Sequence, residues 1–245
     1  MAKHRKEHSL TGRITVQLMN AAFQKIKRNR GAAGIDRVSI GMFQDNLEQN
    51  LLALMRDLKS GQFVARPLRR VWIPKDPRSK SLRPLGIPGV RDRVAQEVLR
   101  RLLEPIFEPL FHDASFGFRK NRSCHLALKR LLSLHGAGYH VVLDADIEAF
   151  FDNIPHSVIL QLVAARVADG NILNLLQRFL CAGVMSDGVF KPTTVGTPQG
   201  VSASCATRMT LSSSPSRSGK RKRPWISCTG LCCLYSFVSM LRKRK

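Results

Sequence analysis

The segment that decides the fold is Val141-Val142-Leu143-Asp144-Ala145-Asp146-Ile147-Glu148-Ala149-Phe150-Phe151-Asp152-Asn153-Ile154. Its first part is β-branched and apolar, as in a buried strand, and carboxylates gather where that strand ends. Asp144 and Asp146 are two residues apart, so they face the same side of the strand. Mg²⁺ takes hard oxygen ligands together with substrate phosphates, so the pattern suits a magnesium site. A structural alternative, in which the acids cap a helix and form a surface pair, is about equally compatible with this segment alone.

The surrounding periodicity predicts an α+β fold. Helices are expected around Met19, Phe23 and Ile26, over Phe43–Leu58 with Gly61 just past the end, over Val94–Phe107, around Leu126–Leu132, and at about 156–168 and 170–181. Strands are expected over Leu68–Pro74, Leu82–Pro88 and Tyr139–Asp146, with a further hairpin around 189–197.

The first two of these strands form a basic hairpin, joined by the turn-rich Asp76-Pro77-Arg78-Ser79. Lys75 and Arg83 would lie near one another across the turn. There they could hold a triphosphate, arginine through a bidentate fork and lysine as a point charge. A solvated basic hairpin without a ligand is the alternative, and it is favoured for this segment taken alone.

Two further segments carry weaker signals. Gly196-Thr197-Pro198-Gln199-Gly200 fixes a turn and offers the Gln199 amide as donor and acceptor, although an ordinary turn would look the same. The stretch from Ser115 to His125 interleaves bases with aromatics, which suits a nucleic-acid backbone with base stacking. A helix N-terminus with a solvated basic face is the alternative there.

The chain as a whole is strongly basic. Its 245 residues include 40 lysines and arginines against 17 aspartates and glutamates, a net charge of +23, which favours nucleic acid or an anionic membrane surface as partner. The apolar content of 44% suffices for a packed core and argues against global disorder. The N-terminus lacks the apolar run of a secretory signal, and the six irregularly spaced cysteines indicate reduced thiols in a cytosol. We therefore expect a cytoplasmic protein.

Together and in this order, the segments resemble the N-terminal part of a group II intron-encoded reverse transcriptase/maturase. The resemblance covers about residues 31–200 and implies a right-hand polymerase with fingers first and palm second. The matching stretches are Gly31-Ala32-Ala33-Gly34-Ile35-Asp36, Ile73-Pro74-Lys75 with Arg83–Pro88 and Asp92-Arg93, the block from Phe107 to Leu128, the segment from Asp146 to His156, and Gly196–Gly200.

The resemblance also implies a metal site and a reaction. Asp146 matches the first metal-binding aspartate of the palm and would be the catalytic carboxylate, with the Ile147 backbone carbonyl as a neighbouring metal ligand and Asp144 in support. The implied chemistry is attack of a primer 3′-hydroxyl on the α-phosphate of a dNTP, assisted by two Mg²⁺ ions.

Four residues match positions that bind the incoming nucleotide. Lys75 and Arg83 match the fingers residues on the triphosphate. Phe151 matches the aromatic under the incoming sugar, where a ring would exclude a 2′-hydroxyl. Gln199 matches the residue beside the incoming nucleotide and the template.

The residues after Gly200 depart from the family, in which a long apolar helix and a Tyr-Ala-Asp-Asp strand follow. From Gly188 to Lys245 there is no acid and there are eleven bases. Because the change begins inside a family motif, we favour translation in another frame; a nucleic-acid or import signal at Lys220–Arg223 is the alternative.

The tail cysteines lack four-ligand zinc spacing, so no zinc is expected. Leu231–Leu241 is too short to span a bilayer, and its attachment to a membrane surface is a weaker alternative.

The expected organisation is a basic helical extension (1–30), a fingers-like region (31–135), a partial palm (136–200) and an aberrant, disordered basic Ser/Cys-rich tail (201–245).

Two functions remain open. One is a fragment of an RNA-directed DNA polymerase using an RNA template, a DNA primer and dNTP, inactive because the second set of carboxylates is missing. The other is a non-enzymatic intron-RNA-binding module. The candidate RNA-binding residues are Lys25, Lys27, Arg28, Arg30, Arg119, Lys120, Arg122, Lys129 and Arg130.

Overall fold

The structure is a computed structural model that describes residues 6–74, 81–145, 150–197, 210–213 and 225–229, without the side chains of 142–145, 210–213 and 225–229. These residues fall into two compact units. The first comprises Met1–Ile106 with Phe150–Val201, and the second comprises Phe107–Ala149 with Ser202–Lys245. The predicted boundaries at 30, 135 and 200 stay predictions.

Seven α-helices and seven strands are formed by the described residues. The helices are α1 (Val16–Arg28), α2 (Ile40–Asp45), α3 (Leu47–Ser60), α4 (Val90–Phe107), α5 (Cys124–Gly136), α6 (His156–Ala164) and α7 (Gly170–Leu180). The strands are β1 (Leu68–Pro74), β2 (Leu82–Ile87), β3 (Val141–Ala145), β4 (Val184–Ser186), β5 (Val189–Lys191), β6 (Thr210–Ser213) and β7 (Trp225–Thr229). The α+β class is therefore confirmed.

The core of the first unit forms where the apolar faces of its helices meet. α1 buries Met19, Phe23 and Ile26 at helical spacing, and the ring of Phe23 stacks on that of Phe43 with centroids 5.6 Å apart. The helix expected over Phe43–Leu58 is in fact two, because Asn46 leaves helical geometry at φ −121° and ψ 44°. Gly61 ends α3 in the left-handed region, as predicted.

Segments far apart in sequence are joined at the N-terminus of α7. The Asp169 carboxylate caps this helix through the backbone N–H groups of Asn171 and Ile172, and it also accepts hydrogen bonds from the backbone and hydroxyl of Thr11 at 2.7 and 2.9 Å. Burial alone would raise the pKa of Asp169, but these hydrogen bonds outweigh it, so the pKa lies below its usual value. The carboxylate therefore stabilises the fold in its ionised form.

The sheet of the first unit has the order β2-β1-β4-β5. β1 and β2 are antiparallel, with Arg69 opposite Ile87 and Pro74 opposite Leu82, which confirms the predicted hairpin strands. The second predicted hairpin was misplaced: it lies at 184–191 rather than around 189–197. Its turn is Asp187-Gly188, and both residues have positive φ, as a tight two-residue turn requires.

The second unit contains α5 and a three-stranded sheet of order β3-β7-β6. The side chains of Phe116, Ala127 and Leu134 form its small buried cluster. β3 was predicted, and β7 lies parallel to it, with Val141 opposite Trp225 and Ala145 opposite Thr229. β6 and β7 come from the tail and are strands that the sequence did not suggest. For the rest of the tail, the expected lack of fixed structure stays a prediction.

Candidate functional site

Several predicted site residues lie outside the described residues: Lys75, Asp146, Ile147 and Gln199. Their implied roles therefore stay predictions. Asp144 lies on β3 opposite Cys228 of β7, and its side chain is not described. Arg83 and Phe151 are described, on β2 and on the short 3₁₀ turn Phe150–Asp152 respectively.

Main-chain hydrogen bonds hold the Phe150–Asp152 turn against the start of the Gly196–Gly200 segment. The N–H of Thr197 donates to the Phe151 carbonyl at 2.7 Å, and the N–H of Gly196 donates to the Ile154 carbonyl at 2.8 Å. Gly196 has φ +82°, and a Cβ there would lie 2.7 Å from the Asp152 carbonyl oxygen. Only glycine allows this close approach without displacing the turn, which explains why this position is a glycine.

His156 fixes the same contact from its buried position at the start of α6. Its Nε2 lies 2.8 Å from the Gly196 carbonyl oxygen, and because that oxygen can only accept, Nε2 must carry the proton. In the neutral ring, Nδ1 then accepts from the Cys181 thiol, whose Sγ is 3.7 Å away. No local sequence pattern indicates a role for His156, because its contact is with a residue forty positions later.

A cleft of about 250 Å³ opens beside this contact in the first unit. One wall is a face of the β1–β2 hairpin that includes Arg70, Pro84 and Gly86; the opposite wall includes Asp152 and the segment Lys191–Thr197. The structure therefore places two of the predicted motifs, the basic hairpin and the Gly196 turn, around one cavity. Arg70 was not among the predicted site residues.

Arg83 lies on the other face of the hairpin. It is opposite Ile73, whereas Arg70 is opposite Gly86 and Trp72 is opposite Pro84, and side chains alternate between the faces of a strand. Arg83 is exposed, which leaves its guanidinium accessible to a ligand. Its expected partnership with Lys75 stays a prediction, since Lys75 lies outside the described residues.

Two other predicted motifs meet in the interior of the first unit. Gly34 packs against Gly89 so closely that a Cβ on Gly34 would lie 2.6 Å from the Gly89 Cα. Arg93 donates from Nη2 to the Ala32 carbonyl at 2.6 Å, which ties the first motif to α4. Asp36 accepts from Arg66 at 2.9 Å. The Gly31–Asp36 and Asp92-Arg93 motifs are thus packing partners in a buried polar cluster.

Asp92 is the unusual member of this cluster. It is 2% exposed, and neither carboxylate oxygen has a hydrogen-bond partner among the described residues. Burial raises the pKa of Asp92 to about 6, and the nearby Arg91 and Arg66 only partly offset this effect. The group therefore titrates about one pH unit below neutrality, and at pH 7 the buried carboxyl is mostly ionised.

The candidate RNA-binding residues divide between the two units. Lys25, Lys27, Arg28 and Arg30 are exposed at the end of α1, and Lys120, Lys129 and Arg130 are exposed in and just before α5. Arg122 is partly buried, stacks over Phe116 and contacts Asp113 at 3.3 Å. Each unit thus presents its own group of accessible cations.

Arg119 differs from the other members of that set in being nearly buried. Its side chain is only 5% exposed; it contacts Glu108 at 2.8 Å and donates to the carbonyl oxygens of His112 and Ser115 at 2.8 and 3.0 Å. The guanidinium also lies over the ring of Phe111. Because these donors are occupied inside the unit, Arg119 stabilises the fold, and its predicted contact with RNA stays a prediction.

The residues that are present do not fit a two-ion magnesium site. Within the described ranges, no group of three or more His, Cys, Asp or Glu residues could hold a metal ion. β7, the strand next to β3, runs Trp-Ile-Ser-Cys-Thr and carries no carboxylate, and none occurs anywhere from Gly188 to Lys245. Two Mg²⁺ ions need carboxylates from more than the single strand end near Asp146.

None of the described helices has the length and apolar character needed to cross a membrane.

Comparisons with known proteins agree with the arrangement of motifs. Residues 73–227 match the family described as "Reverse transcriptase (RNA-dependent DNA polymerase)". The group II intron-encoded protein LtrA of Lactococcus lactis subsp. cremoris is 37% identical over 182 residues, which cover 73% of this chain and 29% of LtrA. Protein YkfC of Escherichia coli is 37% identical over 171 residues, covering 68% of this chain and 44% of YkfC.

A 91 kDa protein in the cob intron of Schizosaccharomyces pombe is also 37% identical, over 183 residues that cover 73% of this chain and 22% of that protein. The chain therefore spans 22–44% of the length of these three relatives. The match to the family covers strand β2 of the basic hairpin, the Phe150–Asp152 turn and the Gly196 turn, whereas most of β1 lies before the matched residues. The chain belongs to the reverse transcriptase family and is related to the proteins that group II introns encode.

Proposed function

We propose that this chain is the fingers and partial palm of a group II intron reverse transcriptase/maturase, and that it binds RNA without itself completing DNA synthesis. The observation that carries the proposal is the contact between the Phe150–Asp152 turn and Gly196 beside the cleft of the basic hairpin. Two of the predicted motifs, the basic hairpin and the Gly196 turn, thus line one cleft. Strand β7, which pairs with β3 in the second unit, lacks the carboxylates that synthesis requires.

In this proposal the chain binds and orients nucleotide and nucleic acid. Arg83, with Lys75, contacts the triphosphate, and Phe151 lies under the sugar with its backbone fixed by Thr197. Gln199 lies beside the nucleotide and the template. Asp146 and the Ile147 carbonyl would contribute to one metal position, which is incomplete in the residues present. RNA, a DNA primer and dNTP are the corresponding partners.

The purified chain is expected to show no template-dependent DNA synthesis. A two-metal centre requires carboxylates that hold both ions, and Asp146 leaves the primer-side ion without its ligands. Incorporation of labelled dNTP on a primed RNA template in the presence of Mg²⁺ measures this directly. Activity that disappears in Asp146→Asn would contradict the proposal, because it would show that the chain has a working metal site.

A non-enzymatic RNA-binding module is the second candidate function, and the exposed cations of α1 and α5 favour it. RNA affinity is expected to fall with salt by about 0.7 log units per log unit of salt for each single-strand phosphate contact, since each contact releases counterions. Lys120→Ala should reduce the magnitude of the measured salt slope by about 0.7, the contribution of one phosphate contact. Lys59→Ala, at an exposed lysine of α3 outside the candidate set, is the matched control.

Fluorescence anisotropy with a labelled single-stranded RNA at four or more salt concentrations gives the slope. Little sequence preference is expected, because backbone contacts position the chain without reading bases. Alanine substitution of the four bases Lys220–Arg223 should weaken binding without removing it. If that variant no longer binds, the tail supplies the affinity and the folded part is not an RNA-binding module.

A further inference from the structure

Trp72 is an exposed aromatic residue in the middle of the basic hairpin. It is 53% exposed although it lies on β1, a central strand of the four-stranded sheet. Large aromatic side chains contribute most to stability when buried, so an exposed tryptophan on a strand does little for the fold. The exposed position of Trp72 therefore favours a role in binding a ligand over a role in packing.

The strand pairing places Trp72 on a projecting part of the hairpin. β4 pairs with β1 only at Leu68 and Arg69, whereas β2 pairs with it from Arg69 to Pro74. Beyond Arg69 the hairpin is therefore a two-stranded ribbon that projects past β4. Trp72 and its cross-strand neighbour Pro84 lie on this projecting part, and Trp72 is exposed there.

The face that carries Trp72 is the same one that lines the cleft. Arg70, two residues before Trp72, lies on it, as do Pro84 and Gly86 on β2. Residues two apart on a strand are about 7 Å from each other, so one nucleotide could contact both side chains. Arg70 and Arg83 form no ion pair with any described carboxylate, so their charges are available to a polyanion.

Charge decides among the possible occupants of this face. The ribbon carries Arg69, Arg70 and Arg83 within a chain of net charge +23, and the described part of its two strands contains no acid. An apolar protein surface would gain nothing from these cations. Single-stranded nucleic acid supplies both a base for the ring and a phosphate for the guanidinium.

We propose that Trp72 is a stacking platform for a base of single-stranded nucleic acid, with Arg70 contacting the adjoining phosphate. This inference rests on the proposed RNA binding and assigns one specific contact to it. It predicts that the ribbon holds an unpaired base, because a base inside a duplex has no free face to offer.

The chain has only two tryptophans, Trp72 and Trp225, so Trp225→Phe leaves Trp72 as the single indole fluorophore. Titration of this variant with a single-stranded 12-nucleotide RNA should quench its fluorescence, with the same dissociation constant that anisotropy gives. An abasic 12-mer with the same number of phosphates should bind through charge but leave the fluorescence unquenched.

Trp72→Ala in the parent chain should weaken binding of the same RNA by about 5- to 150-fold, the range for loss of one base–aromatic stack, with the salt slope unchanged. Trp72→Phe should retain most of the affinity, because a ring remains. Leu82→Ala removes an equally exposed apolar side chain from the same face and should change the affinity less than twofold. This control separates stacking from general apolar contact.

Three results would overturn the inference. If the parent chain binds RNA but Trp72→Ala binds equally well, Trp72 makes no contact and only the inference fails. Equal quenching by the abasic strand would show that the ring does not stack on a base. If the parent chain binds no RNA even at low salt, the proposed RNA binding itself fails and the stacking contact fails with it.

Discussion

Replacing Asp92 with asparagine is expected to raise the free energy of unfolding by up to about 3 kcal/mol at pH 7. Asp92 is buried without a hydrogen-bond partner among the described residues, and its pKa is raised from 3.8 to about 6. At 1.36 kcal/mol per pKa unit, the difference between 3.8 and about 6 gives the free-energy cost of keeping the ionised carboxylate inside the fold. Asparagine has nearly the same shape, carries no charge and resembles the protonated acid.

The sign of the pH dependence follows from the direction of this shift. Below about pH 4 the carboxyl is protonated in both the folded and unfolded states, so the substitution should change little. Between about pH 4 and 6 the unfolded state ionises first, and the destabilisation of the parent chain grows. Above about pH 6 the advantage of Asp92→Asn should be constant.

Urea denaturation followed by circular dichroism from pH 4.5 to 7.5 measures this difference. Asp169 acts in the opposite sense, because its pKa is lowered and its contribution is lost as the pH falls, but it is common to both chains and cancels. Asp45→Asn, at an exposed carboxylate of α2, is the matched control and should show no pH-dependent gain. If Asp92→Asn raises the free energy of unfolding by the same amount at all pH values, the gain does not come from the raised pKa of Asp92, and the prediction is wrong.

Arg119→Ala should destabilise the second unit by about 3 kcal/mol. The substitution removes a nearly buried guanidinium, its contact with Glu108 and two hydrogen bonds to backbone carbonyls. Losing one partner of a buried ion pair typically costs about 3–5 kcal/mol, and the partial exposure of Glu108 places the expected value at the lower end. Hydrogen exchange of the amides in α5 should accelerate accordingly.

Arg122→Ala is the comparison for this experiment, since Arg122 lies three residues away and also pairs with an acid. Its partner Asp113 is 97% exposed, so the loss should stay below about 1 kcal/mol. Arg119→Lys should destabilise the unit by an amount between those of Arg119→Ala and Arg122→Ala. Lysine keeps the charge but lacks the planar guanidinium that reaches several acceptors. If Arg119→Ala and Arg122→Ala have equal effects, the contacts of Arg119 do not stabilise the unit.

Local patterns predicted most of the helices and strands. The apolar stripes of α1 and α3 and the strands of the basic hairpin were found because burial imposes their periods directly on the sequence. The second hairpin was misplaced by about five residues, although Asp187-Gly188 is a strong turn signal. The break at Asn46 was missed because the apolar stripe continues across it.

The candidate site was only partly predictable, because its essential contacts join distant residues. Phe151 and the Gly196 turn were identified separately, but their hydrogen bonds and the role of His156 depend on tertiary structure. Arg119 resembled a surface base, and nothing local shows that a loop folds around it. Asp92 left a clearer signal: it shares a helical face with Ala95 and Leu99, both buried, which marks an acid in the core.

The discontinuous first unit has a consequence for its synthesis. Glu7 and Thr11 bond to residues 166–169, and Asn171 donates to the Leu58 carbonyl at 2.7 Å, so the early helices meet these partners only after the ribosome has made both. At about 5–20 residues per second, the 60 residues from Phe107 to Arg166 take roughly 3–12 s to translate. During that interval the apolar faces of α1, α3 and α4 emerge without α6 and α7 to complete their core. The nascent chain is therefore most dependent on chaperones while Phe107–Ala149, the first part of the second unit, is being translated.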